Sequence, residues 1–244
     1  MIKPNKLAIR TLSLLLVSMT GFGVPAGAKT PQPILPEFIT AEKQTKLTPE
    51  TVLAGLKKRN KEFVEGNLTV RNTSARIRKA SAGQYPGAVI LSCLDSRVPV
   101  EDVFHSGIGD LFVARVAGNT SNPEILGSLE FACKVAGAKV IVVMGHENCG
   151  AVKSAIDNVK LGNITATLKP IRSAVANLSR FEGEKTSGNP EFVEAVCREN
   201  VRNVIREIRK KSSILKEMEA NKEILVVGAE YHLGSGSVEF FGEE

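Results

Sequence analysis

Two short segments hold residue types that can do chemistry together. Cys93-Leu-Asp95-Ser-Arg97 offers a thiol, a carboxylate and a guanidinium at alternate positions, and His146-Glu-Asn-Cys149-Gly150 offers an imidazole and a second thiol three residues apart. Sulfur and nitrogen donors suit zinc, which accepts both, prefers four ligands and has no redox chemistry of its own. Three such ligands leave one position. A closed structural site would want a fourth Cys or His, so the open place fits either water, the catalytic pattern, or Asp95. On extended chain Cys93, Asp95 and Arg97 point the same way. The carboxylate can then accept the proton of a zinc-bound hydroxide and orient its lone pair, while the guanidinium holds the carboxylate in place and keeps it ionised. Zinc with two thiolates and a neutral imidazole is formally neutral and acidifies water less than a dicationic site does. The positive end of a helix starting near Gly150 tempers that loss, and a nucleophile generated at alkaline pH is expected.

Taken singly, each piece is commonplace. A Cys after a strand is usually packing, a lone HxxC is usually chance, and a DSR tripeptide is usually a surface turn. What gives them weight is where they fall. Ala88-Val89-Ile90-Leu91 is a continuous apolar run of the kind buried on both faces, and it ends at Ser92-Cys93. Residues 139–144 form another, ending at Gly145-His146. Residues 111–116 and 224–227 supply two more strand signals, and more than seventy residues of helical pattern separate the last two strands. Thr48-Pro49 opens a helix running to about Gly66, and Asn122-Pro123-Glu124 caps one reaching Val135. Strands alternating with helices predict an α/β fold, a central parallel sheet of four strands plus a C-terminal edge strand after the Gly234-Ser-Gly236 turn, surrounded by helices. Such sheets bind ligands beyond the carboxyl ends of their strands, where Cys93 and His146 fall.

Composition narrows the field. With 244 residues, 43% hydrophobic and 24% charged, the chain can bury a sizeable core, and 5% aromatics without Trp makes a base-stacking nucleic-acid module a poor fit. Of the net charge of +6, half comes from Lys3, Lys6 and Arg10, within 28 residues that contain no acid. An apolar run and Ala26-Gly27-Ala28 follow them, so residues 1–28 read as an export signal, too broken by Ser18, Thr20 and glycines to span a membrane. The expected organisation is therefore a signal at 1–28, an N-terminal surface arm at 29–47 and one domain at 48–244, with a periplasmic destination or, alternatively, a secreted one. The basic runs Arg76-Ile77-Arg78-Lys79 and Arg209-Lys210-Lys211 read as solvated helix faces rather than phosphate grooves. No nucleic acid and no stable membrane insertion are expected. Cys133 and Cys197 read as core residues on apolar helix faces, with a disulfide between them the alternative in an exported chain.

The motifs CxDSR and HxxC, in this order and separation, resemble those of the β-class carbonic anhydrases. The likeness runs from about Pro49 to Phe240 and includes Arg115-Val-Ala-Gly-Asn119 and Gly228-Ala-Glu-Tyr-His-Leu-Gly234. That resemblance implies a zinc lyase, with one Zn2+ per subunit, interconverting carbon dioxide and bicarbonate by attack of zinc-bound hydroxide. It also implies self-association as a dimer or higher even oligomer. By position it makes Cys93, His146 and Cys149 the zinc ligands, with Asp95 either paired to Arg97 or swung onto the metal in an inactive form. Gln84 falls where plant-type members hold substrate with an amide, Phe112 where they have an apolar wall, and Gly150 beside the metal ligands in the substrate pocket. Phe131 stands in place of a tyrosine. Ile90 and Ser92 replace the Trp and Gly of members inhibited by bicarbonate at a second site, so that regulation is not expected. His105 and His232 are the histidines left over for proton transfer, although idle surface positions suit them as well. Competing readings are a carbonyl sulfide or carbon disulfide hydrolase on the same fold, a non-catalytic zinc-binding domain with Asp95 as fourth ligand, and a disulfide-stapled binding protein.

Overall fold

The computed structural model describes residues 33–242 apart from 35, 68, 71 and 72. The expected signal at 1–28 lies outside the described residues. Helix starts follow the capping signals closely. Thr48 caps α2 (Pro49–Val64) by accepting from the Thr51 amide, with Pro49 at the first turn where its missing N–H costs nothing. Asn122 caps α5 (Pro123–Glu130) and Asn189 caps α8 (Pro190–Lys211) in the same way, each followed by Pro. One helix was not expected: α1 (Ala41–Thr45), capped by Thr40, lies inside the segment read as a surface arm. Its Gln44 amide donates to the carbonyls of Pro86 (3.0 Å) and Ala136 (2.8 Å), and Leu47 packs on the core. Too short to show periodicity, this helix is anchored by partners more than forty residues away.

Five strands form one sheet in the order β2-β1-β3-β4-β5. Strands β1 (Ala88–Ser92), β2 (Leu111–Arg115), β3 (Val140–His146) and β4 (Leu225–Tyr231) run parallel, and β5 (Val238–Phe241) joins antiparallel at one edge. This is the predicted α/β architecture, edge strand included. Every residue of β1 and β3 is buried, so each strand feeds both faces of the sheet. Val89, Leu91, Ile141, Val143 and Val226 pack in one cluster with residues of α5, α8 and α9 (Ser213–Ala220). On the other face Ile90, Val142, Met144 and Val227 meet Val52, Leu53 and Leu56 of α2. Each fully buried aliphatic side chain contributes about 1.5–3 kcal/mol, enough to fix the register of strands that carry no other specification.

Three local readings change. The helix expected to reach Val135 passes into a π-helical turn over Phe131–Val135, in which the Ala136 amide bonds back to the Phe131 carbonyl. The wider turn buries Ala132 and Cys133 but leaves Phe131 half exposed. Strand β4 continues to Tyr231, beyond the apolar run, because Gly228, Ala229 and Glu230 are buried by neighbours rather than by their own hydrophobicity. Arg76 of α3 (Thr73–Ala80) is not solvated: it is buried against Asp110 at 2.5 Å, with the Pro36 carbonyl as a further acceptor.

Candidate metal centre

Ser92 pairs with Met144 across the β1–β3 register, so the chain leaves both strands at the same level, and Cys93 and His146 emerge side by side. A turn over residues 147–149, with Asn148 in the left-handed region (φ 50°), brings Cys149 back as N-cap of α6 (Gly150–Ile156). All three side chains are buried, and their ligand atoms lie within 4.8 Å of one another. The two sulfurs are 3.9 Å apart. Two Zn–S bonds of about 2.3 Å at a tetrahedral angle require roughly 3.8 Å. His146 Nδ1 pairs with the Glu147 carbonyl oxygen at 2.8 Å, which leaves Nε2 buried with no hydrogen-bond partner and its lone pair free for a metal. Donor set, spacing and orphaned imidazole nitrogen all fit zinc.

The sulfurs are poised unequally. The Cys93 thiol is pulled well below its ordinary range, first by its hydrogen bond with Cys149, with burial opposing and His146 and the Asp95 and Gly118 amides assisting. The same bond, then burial, pushes Cys149 up. Binding a divalent ion between them must therefore expel a proton.

Asp95 lies beside this cluster without entering it. Arg97 grips its carboxylate in a fork, Nε to Oδ1 at 2.9 Å and Nη2 to Oδ2 at 2.7 Å, and the Arg97 amide adds a third bond to Oδ1. Asp95 Oδ2 is 3.8 Å from His146 Nε2. Of the two positions foreseen for Asp95, the paired one is seen here. The Arg97 fork, first, and the fields of His146 and Arg97 hold this carboxyl well below the usual carboxylate range.

Three supports of the site had no role assigned from sequence. The Gly118 amide donates to Cys93 Sγ at 3.3 Å, Arg115 Nε donates to the Cys93 carbonyl at 2.9 Å, and Asn200 Nδ2 donates to the Gly118 carbonyl at 2.9 Å. Gly118 sits at φ 70°, and a Cβ there would lie 2.4 Å from Ile171 Cδ1. The only advance signal was its place in the Arg115–Asn119 segment.

Other expected site residues fall elsewhere. Gln84 is exposed in the loop before β1, and Phe112 pairs with Val89 near the start of β2. Four residue steps lead from Val89 to Cys93, about 13 Å of extended chain. Phe112 and Phe131 line a cavity of about 490 Å³ along edge strand β2 with Val89 and Ile125. The single chain thus does not bring Gln84, Phe112 or Phe131 to its own metal ligands, because amino and carboxyl ends of parallel strands lie at opposite ends of the sheet. Gly150 does stand at the site, as the first residue of α6. His105 is buried beside Thr69 and Phe63 and lines a cavity with Gly87 and Leu111, at the amino ends of the strands. His232 is part-exposed and bonded to Glu147 at 2.8 Å, next to the metal turn. All four cysteines are free. Cys133 and Cys197 occupy different core clusters, which removes both the proposed disulfide between them and the stapled binding protein. Burial pushes the Cys133 thiol up to about 12 and Cys197 higher still.

With this geometry in place the comparisons are informative. A profile of the carbonic anhydrase family matches residues 88–238. Carbonic anhydrase 2 of Mycobacterium tuberculosis is 32% identical over 189 residues, covering 77% of this chain and 90% of that protein. A carbonic anhydrase of Mycolicibacterium smegmatis is 32% identical over 194 residues, 78% of this chain and 92% of its own length. Among solved structures, the β-carbonic anhydrase CafA of Aspergillus fumigatus superposes with a TM-score of 0.63 at 25% identity, covering 80% of this chain and 91% of its own. One of two tetrameric β-carbonic anhydrases from Sordaria macrospora gives 0.62 at 25% identity over 70% of this chain and 87% of its own. The chain belongs to the carbonic anhydrase family, in its β class. It is an enzyme of reversible carbon dioxide hydration that uses zinc, and the Cys93–His146–Cys149 cluster fits that ion.

Proposed function

We propose that Asp95, fixed by Arg97, is the group that places the proton during hydration, with Cys93, His146 and Cys149 holding the metal. The observation that carries this is the three-bond grip of Arg97 on a carboxylate 3.8 Å from the free imidazole nitrogen. Zinc supplies a Lewis acid that makes water acidic enough to serve as a nucleophile. The chain's own residues do the rest. Arg97 keeps Asp95 ionised, so Oδ2 is an acceptor only. It therefore orients an oxygen that still carries a proton, leaving a lone pair toward the carbon of carbon dioxide, and disfavours small anions that have no proton to offer. Bicarbonate leaves and one proton passes to bulk water, which balances the hydration. The test is Asp95→Asn. Zinc content measured by elemental analysis should stay near one per chain while turnover in stopped-flow hydration assays falls by roughly 10²–10⁴. Full activity across the pH range would refute the dyad.

Self-association of even order completes the reading. Strand β2 is a sheet edge whose free backbone groups and apolar groove want a cover. A twofold pairing there would bury both edges and carry Gln84, Phe112 and Phe131 of one chain toward the metal centre of the other. The tetrameric state stated for the Sordaria macrospora relatives supports assembly of this kind. Export with removal of residues 1–28, to the periplasm or beyond, rests on the charge and apolar pattern of that segment. No helix among the described residues is long and apolar enough to cross a membrane.

A further inference from the structure

The turn that delivers His146 and Cys149 is held from β4, a strand that carries no metal ligand. Glu147, between the two ligands, makes the connection. Its amide donates to the Tyr231 carbonyl at 3.1 Å, and its carboxylate accepts from His232 Nδ1 at Oε1 and from the Leu233 amide at Oε2, both at 2.8 Å. These partners are three consecutive residues at the carboxyl end of β4. The Glu147 carbonyl faces the other way and accepts from His146 Nδ1 at 2.8 Å. One residue therefore meets the ligand ring with its main chain and β4 with its side chain.

His232 is itself built in. Its amide donates to the Ser237 carbonyl at 2.8 Å and its carbonyl accepts from the Gly236 amide at 2.8 Å, which closes the Gly234-Ser-Gly236 turn between β4 and β5. Gly236 takes φ 76° there, and a Cβ would lie 2.8 Å from Phe63 Cε1. Buried Asn60 of α2 clamps the same turn, donating to the Gly236 carbonyl at 3.0 Å and accepting from the Val238 amide at 2.8 Å. On the far side of the ring, His232 Nε2 is 3.8 Å from Glu239 Oε2, an oxygen that Arg198 holds at 2.8 Å.

A carbonyl oxygen only accepts, so the direction of the Glu147 carbonyl decides which nitrogen of His146 carries the proton and which stays free for a metal. We propose that His232 is a positioning residue of the metal centre. Through the Glu147 carboxylate it fixes the turn in which the Glu147 carbonyl fixes the His146 ring. This rests on Cys93, His146 and Cys149 being the ligands. The role differs from both that the sequence suggested for His232, a proton carrier or an idle surface residue. It also gives the Gly-Ser-Gly turn a purpose, since that turn holds the histidine in place.

Chelator competition for zinc on the full chain tests this. His232→Ala should bind zinc roughly tenfold more weakly. His232→Asn, whose Nδ2 can stand in for the lost Nδ1 as donor, should recover most of that affinity. Both should show the wild-type circular dichroism at saturating zinc, because a part-exposed ion pair adds little to global stability. Glu147→Ala should also weaken zinc, and adding His232→Ala to it should change little further, since one acts through the other. Glu239→Gln breaks the pair with Arg198 in the same hairpin but spares the bond to Glu147, and should hold zinc as the wild type does. Equal losses in Glu239→Gln and His232→Ala would mean a general loosening of the hairpin and would overturn the proposal. So would wild-type zinc affinity in His232→Ala, or additive losses in the double variant. Cys149→Ser removes a ligand outright. If it kept zinc at full affinity, the ligand set itself would be wrong, and His232 would have nothing to position.

Discussion

Arg115 at the end of β2 donates from Nε to the Cys93 carbonyl at 2.9 Å, and its Nη2 reaches the Asp95 carbonyl. One guanidinium therefore braces the backbone on both sides of Leu94, and with it a metal ligand and the carboxylate beside it. The planar fork suits two carbonyls, and lysine cannot reproduce it. Arg115→Lys should fold, lose about 1–2 kcal/mol of stability in urea unfolding, and hold zinc some 10–100-fold more weakly in chelator competition. Unchanged zinc affinity would show that the brace is dispensable.

Gly118 is required on steric grounds that a second substitution can relieve. Gly118→Ala drives a methyl against Ile171 Cδ1 at a positive φ, and a loss of roughly 1–3 kcal/mol is expected. Ile171→Val alone should cost about 0.5–1.5 kcal/mol, since Ile171 is fully buried. Removing Cδ1 makes room for the alanine, so the double variant should be clearly less unstable than the sum of the singles. Strict additivity in a thermodynamic cycle would contradict the contact.

Phe112 lies about four strand residues from the level of Cys93, yet its removal should affect turnover. Phe112→Asp places a charge in the groove along the β2 edge, and sedimentation should then show smaller species with activity lost and zinc retained. A variant that stays assembled and active would argue against that edge as the subunit contact.

Glu230 supplies a pH signature. It is fully buried with Oε1 unpartnered, and burial, then the charge of Glu194, raises its pKa, while Arg198 and His232 pull it back. A carboxyl with a raised folded pKa favours the folded state at low pH and loses that contribution as pH rises through the unfolded and then the folded value. Glu230→Gln removes the titration. Between pH 4 and 8 the variant should gain stability relative to the wild type in urea unfolding, and a constant difference across that interval would contradict the assignment.

Much of the site could be read from the chain because its signals are local. The strands that carry Cys93 and His146 are buried on both faces, so they appear as uninterrupted apolar runs, and the ligands fall where those runs stop. HxxC is legible for the same reason, since a single turn delivers His146 and Cys149 to one point. The helix α1 escaped notice because it is too short to have a period, and the π turn after Glu130 because it changes pitch without changing composition.

By itself the sequence determined the ligand types, the strands that end at them and the family, all properties of residues close together along the chain. Only the tertiary structure decided that Gly118, Arg115 and Asn200 converge beneath Cys93, and that Gln84 and Phe112 stand at the far end of the sheet. The long-range contacts among these join residues tens of positions apart, and no periodicity records them. They follow from strand register and helix packing, which the whole core sets at once.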